Sequence, residues 1–278
     1  MFITKIKSLY ASLTISEMKI ADYLLANIDN MQSITSSELA KKLDVGQSTI
    51  IRFSQKLGYK TFKTLINDVL ASSSEEENSE LQLTDSMYAT LEKVKKNYVS
   101  SIEVAFNSNQ PDSFEKAASL MNKAENIVCF GYQATGGFAE YLSQSLIELG
   151  KSSYYSSSII EIRQRLLFLN PGVDILILIS KSGETSETNT IAEFAQSLGV
   201  DVISITNFGN TTLAGYSTVS INFLYDPQKT RLTAYTQNGG LIFVIDALIL
   251  SLYKQDYSKY RTQSGNYMKF SRPQEYRE

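Results

Sequence analysis

Ser180-Lys181-Ser182-Gly183-Glu184-Thr185 gathers three hydroxyls around one glycine. Each hydroxyl can donate a hydrogen bond to a phosphate oxygen, and a glycine lets the backbone approach an anion closely. Serine and threonine at helix starts also serve as caps, but three converging on one glycine exceed what capping needs. Ahead of them stands Asp174 and then the run Ile175-Leu176-Ile177-Leu178-Ile179, which has the length of a strand buried on both faces of a parallel sheet. Beyond them Ile191, Phe194, Ala195 and Leu198 recur at helical spacing. A turn between such a strand and such a helix is where open α/β sheets bind anions.

A second constellation lies near the start. Thr14-Ile15-Ser16-Glu17 and Thr35-Ser36-Ser37-Glu38 both read as capping boxes, each opening a helix. Met18, Ala21, Leu24, Leu25 and Ile28 mark the buried face of the first helix; Leu39, Ala40 and Leu43 mark the second. Asp44-Val45-Gly46 makes a turn, and a third helix runs from about Gln47 to Leu57 and stops at Gly58. A short helix, a tight turn with glycine and a second helix form a helix-turn-helix, whose second helix enters the major groove by its N-terminal part. Gln47, Ser48, Thr49, Arg52 and Lys56 lie away from the Ile50-Phe53-Leu57 face. Glutamine suits adenine, arginine suits guanine, and serine and threonine suit bases or phosphates. Arg52 equally suits a phosphate. Tyr59, Lys60 and Lys63 follow and suit the DNA backbone. A three-helix module that binds protein is the alternative.

Composition narrows the chemistry. The chain of 278 residues has no histidine, so Ser-His and Cys-His pairs, an imidazole base and histidine metal ligands are excluded. Cys129 is the only cysteine; it lies in the apolar run Ile127-Val128-Cys129-Phe130, as a buried thiol does, and a cysteine-rich zinc site is excluded. No cofactor is expected, since Gly131-Tyr132-Gln133-Ala134-Thr135-Gly136 lacks the middle glycine of a dinucleotide fingerprint and no Walker loop occurs. There is no apolar signal core at the N-terminus and no apolar run of about 18 residues, so a cytoplasmic protein is expected, with no membrane partner. The net charge of −3 divides into +3 over residues 1–71 and −6 over the rest. A basic head on an acidic body fits a small nucleic-acid-binding domain joined to something else.

The expected domains are a helix-turn-helix head at 1–71, a linker at 72–83, an α/β domain at 84–255 and a polar tail at 256–278 without clear fold. The linker carries the acidic, structureless-looking Ser72-Ser73-Ser74-Glu75-Glu76-Glu77-Asn78-Ser79. A helix from Thr84 to about Phe106 places Met87, Leu91, Val94 and Tyr98 on one face, and another starts at Pro111. Strand–helix alternation then follows: strands at 127–130, 153–157, 175–179, 200–206 and 217–223, helices at 138–149, 160–169, 185–198 and 241–253.

Thr35 through Glu38-Leu39-Ala40, Ser48-Thr49-Ile50-Ile51-Arg52-Phe53 and Leu57-Gly58-Tyr59 resemble the N-terminal domain of RpiR-type bacterial transcription regulators. Asp174 through Thr185 resembles the sugar isomerase (SIS) domain that follows it in that family, and the likeness covers about residues 1–255. The resemblance implies a flavodoxin-like three-layer α/β sandwich with a mostly parallel sheet, behind an all-α head. It implies a DNA-binding regulator of carbohydrate genes that senses a phosphorylated sugar. The family's phosphate loop maps to Ser180, Ser182, Gly183, Glu184 and Thr185. Its second loop, usually Gly-x-Gly-x-Ser, maps to Gly131-Tyr132-Gln133-Ala134-Thr135: Thr135 keeps the hydroxyl, and Gln133 replaces a glycine. Gly46 stands where the family often has a serine cap. Lys181 adds charge or faces solvent, and Glu184 turns aside to sugar hydroxyls or a helix start. The implied partners are an operator in double-stranded DNA, a sugar phosphate and a second or further copies of the chain. One alternative is a sugar-phosphate isomerase with Glu184 or Glu161 as base; another is a SIS-like scaffold that only dimerises.

Overall fold

The computed structural model describes residues 6, 13–27, 34–77, 81–207, 211–225 and 235–271. By contacts the chain divides into two units, one of residues 1–108 with 228–238, the other of 109–227 with 239–278.

In the first unit, α1 (Ile15–Ala26), α2 (Ser36–Leu43) and α3 (Gln47–Lys56) form the anticipated trio. Both capping boxes are formed: Thr14 and Thr35 each accept from the backbone of the glutamate three residues on, which reaches back to the cap's own N–H. Ile20, Leu24, Leu39, Ile50, Phe53 and Leu57 meet in one buried cluster. Ile28 of the expected first face lies outside the described residues. A fourth helix, α4 (Phe62–Glu77), adds Leu65 and Val69 to that cluster. It corrects the sequence reading at 72–77, which is helical rather than structureless. α5 (Met87–Asn107) follows, capped by Ser86, and buries Ser101, Val104 and Ala105. Met87, Leu91 and Tyr98 remain exposed, at 72%, 60% and 37%. The Ser101 hydroxyl lies 2.8 Å from the carbonyl of Tyr98 in its own helix and 3.1 Å from that of Thr236, which ties residues 235–238 to this helix.

The second unit begins with α6 (Pro111–Lys123), then alternates: β1 (Asn126–Gly131), α7 (Gly136–Glu148), β2 (Ser152–Tyr155), α8 (Ile159–Leu166), β3 (Ile175–Ser180), α9 (Ser186–Ser197), β4 (Asp201–Asn207), the short α10 (Thr212–Gly215) and β5 (Val219–Phe223). All pairings are parallel, in the order β2-β1-β3-β4-β5. One face of the sheet, with Val128, Phe130, Leu176, Leu178 and Val202, packs on α8, α9 and α10 through Ile162, Leu166, Ile191, Ala195 and Leu213. The alternate residues Cys129, Ile177, Ile179, Ile203 and Ile205 are equally buried. Burial on both faces explains the unbroken apolar run of β3. α11 (Asn238–Gln255) buries Leu241, Val244, Ile245 and Leu248. The expected structureless tail is corrected too: α12 (Tyr257–Ser271) is a helix held by the fully buried Tyr260, whose hydroxyl donates to Asn122 Oδ1 at 2.7 Å.

Candidate ligand site and nucleic-acid interface

Between β1 and β3 the strand order reverses: the chain goes from β1 outward to β2, and from β3 outward to β4 and β5. Loops leaving the C-terminal ends of two such strands diverge and open a crevice, the usual ligand position in this sheet order. The register pairs Gly131 with Ile179, so the turn after β1 and the turn after β3 begin level with each other.

The turn after β3 is built from within. Ser180, 2% exposed, accepts from Gly183 N–H at 3.1 Å and lies 3.2 Å from the Thr185 hydroxyl. Ser182 accepts from Glu184 N–H at 3.1 Å. Gly183 has φ +73°, and a Cβ there would come within 2.5 Å of Thr211 Cβ, so no side chain fits. Thr185 occupies the N-cap position of α9 yet makes no side-chain cap. Its hydroxyl faces Ser180 instead, and the first-turn amides of the helix stand at the same place. Glu187 of that first turn takes a hydrogen bond from Ser186 at 2.8 Å, and its carboxyl is held low by its own N–H and by Ser186. Glu184 turns away from the hydroxyls: it accepts from Thr212 N–H at 2.9 Å and Thr212 Oγ1 at 2.6 Å. Lys181 is half-buried, its Nζ 6.0 Å from the Phe138 ring of α7, and burial lowers its pKa.

The turn after β1 is tight. Thr135 is buried and donates to Tyr132 carbonyl at 3.0 Å, so its proton stays inside the turn. Gln133 is exposed and has φ +48°, a left-handed conformation that glycine adopts without steric cost. The glycine-to-glutamine departure therefore falls on a strained position. A cavity of about 180 Å³ lies at the opposite end of the sheet, lined by Asn126, Ser152, Tyr154 and Arg165, and contains none of the expected ligand residues. Glu161, a possible isomerase base, is held by hydrogen bonds from Ser156 and Tyr154, which lower its pKa and make it a weaker base. Among the described residues no cluster of metal-ligating side chains occurs.

In the head, Ser48, Arg52 and Lys60 are exposed and Thr49 is half-buried. Three other expected contacts are committed within the unit. Gln47 donates to Ser36 and Ser37 at 3.1 and 3.0 Å, bracing α3 against the start of α2. Lys56 pairs with Glu17 at 2.9 Å. Tyr59 is buried and donates to Asp68; burial and then that carboxylate push its pKa far up. Gln55 and Ile51 are exposed beside Ser48 and Arg52. Sequence reasoning passed over both, although positions 48, 51, 52 and 55 share one helical face. It also missed Thr212 and Asn189 as supports of the β3 turn.

A helix-turn-helix domain model of the rpiR family matches residues 1–76, and a SIS domain model matches residues 120–251. The chain is 26% identical over 259 residues to YfhH of Escherichia coli K12, an uncharacterised HTH-type transcriptional regulator, covering 91% of this chain and 92% of that one. Its fold resembles that of the Vibrio vulnificus NanR protein complexed with ManNAc-6P, with TM-score 0.62, 20% identity and 97% of both chains covered. The sugar isomerase domain of an RpiR transcription factor from Sphaerobacter thermophilus matches with TM-score 0.56 and 18% identity, over 64% of this chain and 97% of that one.

Proposed function

This chain has the architecture of the RpiR-family transcription regulators, a helix-turn-helix head ahead of a SIS domain, and on that premise we propose that a phosphorylated sugar in the β1–β3 crevice alters its hold on an operator. The observation that carries the reading is the β3 turn, where Ser180, Ser182 and Thr185 converge at the start of α9. The phosphate rests on those hydroxyls, with Gly183 giving close approach and helix-start amides adding their dipole. Thr135 and Gln133 form the facing wall. The likeness to a protein complexed with ManNAc-6P supports this ligand class. No catalysis is assigned: histidine is absent and Glu161 is a weakened base. In the head, Ser48, Thr49 and Arg52 face the major groove and Lys60 the DNA backbone, while Gln47, Lys56 and Tyr59 act as braces. Two copies join through the exposed stripe of α5, so that paired heads read half-sites about 34 Å apart. Such a regulator works in the cytoplasm.

The ligand acts only through different affinities for two head arrangements, with a typical coupling of about 1–3 kcal/mol. The test is operator affinity of wild type and Ser182→Ala, with and without the sugar phosphate that raises the wild-type melting temperature. Ser182→Ala is expected to keep ligand-free operator binding and lose the response. A mutant with the wild-type dependence on ligand concentration would remove the phosphate from this turn.

A further inference from the structure

We infer that Glu184 is a positioning residue, whose carboxylate clamps the Ser180–Thr185 turn to the start of α10 and keeps it in anion-receiving shape without touching the anion. The inference rests on reading that turn as the phosphate site. Both carboxylate oxygens are engaged: Oε1 accepts from Thr212 N–H at 2.9 Å and Oε2 from Thr212 Oγ1 at 2.6 Å. The preceding peptide leans the same way. Gly183 carbonyl accepts from Leu213 N–H at 3.0 Å and from Asn189 Nδ2 at 3.2 Å. The Gly183 Cα is wedged so tightly that an added Cβ would come within 2.5 Å of Thr211 Cβ and 2.7 Å of Thr206 Oγ1.

These contacts hold the turn from outside. The Ser180 and Ser182 bonds to Gly183 N–H and Glu184 N–H hold it only from inside. An arriving phosphate, itself an acceptor, competes with the two serine oxygens for those N–H groups, while the hydroxyl protons are still there to be donated to it. The external clamp keeps the backbone in place when the internal bonds are exchanged for bonds to the anion, so the ordering cost of binding is reduced. A carboxylate is a poor direct partner for an anion, since like charges repel. Glutamine can make both bonds of the clamp: its carbonyl accepts from Thr212 N–H, and its amide donates to Thr212 Oγ1. Geometry and charge therefore separate cleanly between two variants.

The experiment uses the full-length protein as wild type, Glu184→Ala, Glu184→Gln and Ser182→Ala. Amide hydrogen exchange without ligand reads the clamp itself. Glu184→Ala is expected to speed exchange about tenfold in the turn and in residues 212–216 together, and Glu184→Gln to restore near-wild-type rates. Inorganic phosphate is then titrated and followed by melting temperature. Glu184→Gln is expected to bind phosphate at least as tightly as wild type, and Glu184→Ala about tenfold more weakly. Unchanged exchange in Glu184→Ala overturns the clamp. Equal loss of phosphate in the alanine and glutamine variants also overturns it, because the charge would then matter and the clamp would not. If wild type and Ser182→Ala respond alike to phosphate, the phosphate reading fails, and the exchange rates still decide the clamp.

Discussion

Asp174 stands one residue ahead of β3, and its carboxylate ties three segments together. It is 1% exposed and accepts from the backbone and side chain of both Asn126 and Asn170, at 2.8–3.2 Å. Burial raises its pKa, but those donors outweigh it and the net shift is downward. A depressed carboxylate contributes stability above its unfolded pKa of about 3.9, and loses it as pH falls through the folded value. Asp174→Ala is expected to cost about 3 kcal/mol in urea unfolding at pH 7, with the gap to wild type closing below about pH 4. At the proposed DNA surface, Arg52→Ala is expected to weaken operator binding by about 1–3 kcal/mol if the guanidinium reads a base. An equal loss on unrelated duplexes would make it a phosphate contact. The residue types of the candidate site were legible because Ser180 to Thr185 are contiguous. Their partners were not: Glu184 meets Thr212 across 28 positions, and Lys56 meets Glu17 across 39. No local pattern encodes such a meeting. Thr135 illustrates a third case, where the sequence supplies the expected hydroxyl but the fold turns its proton inward.

Elements whose signals are local came through. Thr14-Glu17 and Thr35-Glu38 are three apart and fix two helix starts, and the β3 run declared a strand covered on both faces. α4 was hidden because its polar half, Ser72 to Glu77, has the composition of a linker, while Phe62, Leu65, Ile66 and Val69 carry the helical spacing. α12 was hidden because, among its residues of described burial, Tyr260 alone is deeply buried, so no periodicity shows. α3 has a defect open to repair. Gly46 is its N-cap with no side-chain bond, at φ −67°, and an added Cβ would meet Ser48 and Thr49 hydroxyls at an ordinary 3.5 Å. Gly46→Ser is expected to raise stability by about 0.5–1 kcal/mol, through a cap and a less flexible unfolded chain. The measurement is the urea midpoint at constant slope.

For the whole molecule, the assembly proposed above rests on α5. Met87, Tyr88, Leu91, Val99 and Phe106 expose apolar surface along one 21-residue helix. Leu91→Glu is expected to halve the sedimenting mass at micromolar concentration and to weaken operator binding, since each head alone makes few base contacts. A mutant of unchanged mass would move the interface elsewhere. No helix among the described residues is long and apolar enough to cross a membrane. The path of the chain bears on how such a protein can be taken apart. The polypeptide passes between its two units three times, after residues 108, 227 and 238. A gene fusion that joins residues 1–108 to a foreign sensor therefore discards Thr236 and Gln237, both 6% exposed, and leaves the Ser101 hydroxyl only the Tyr98 carbonyl of its own helix. Swapping sensors at this boundary requires two exchanges, and a single crossover is expected to yield a first unit that melts early.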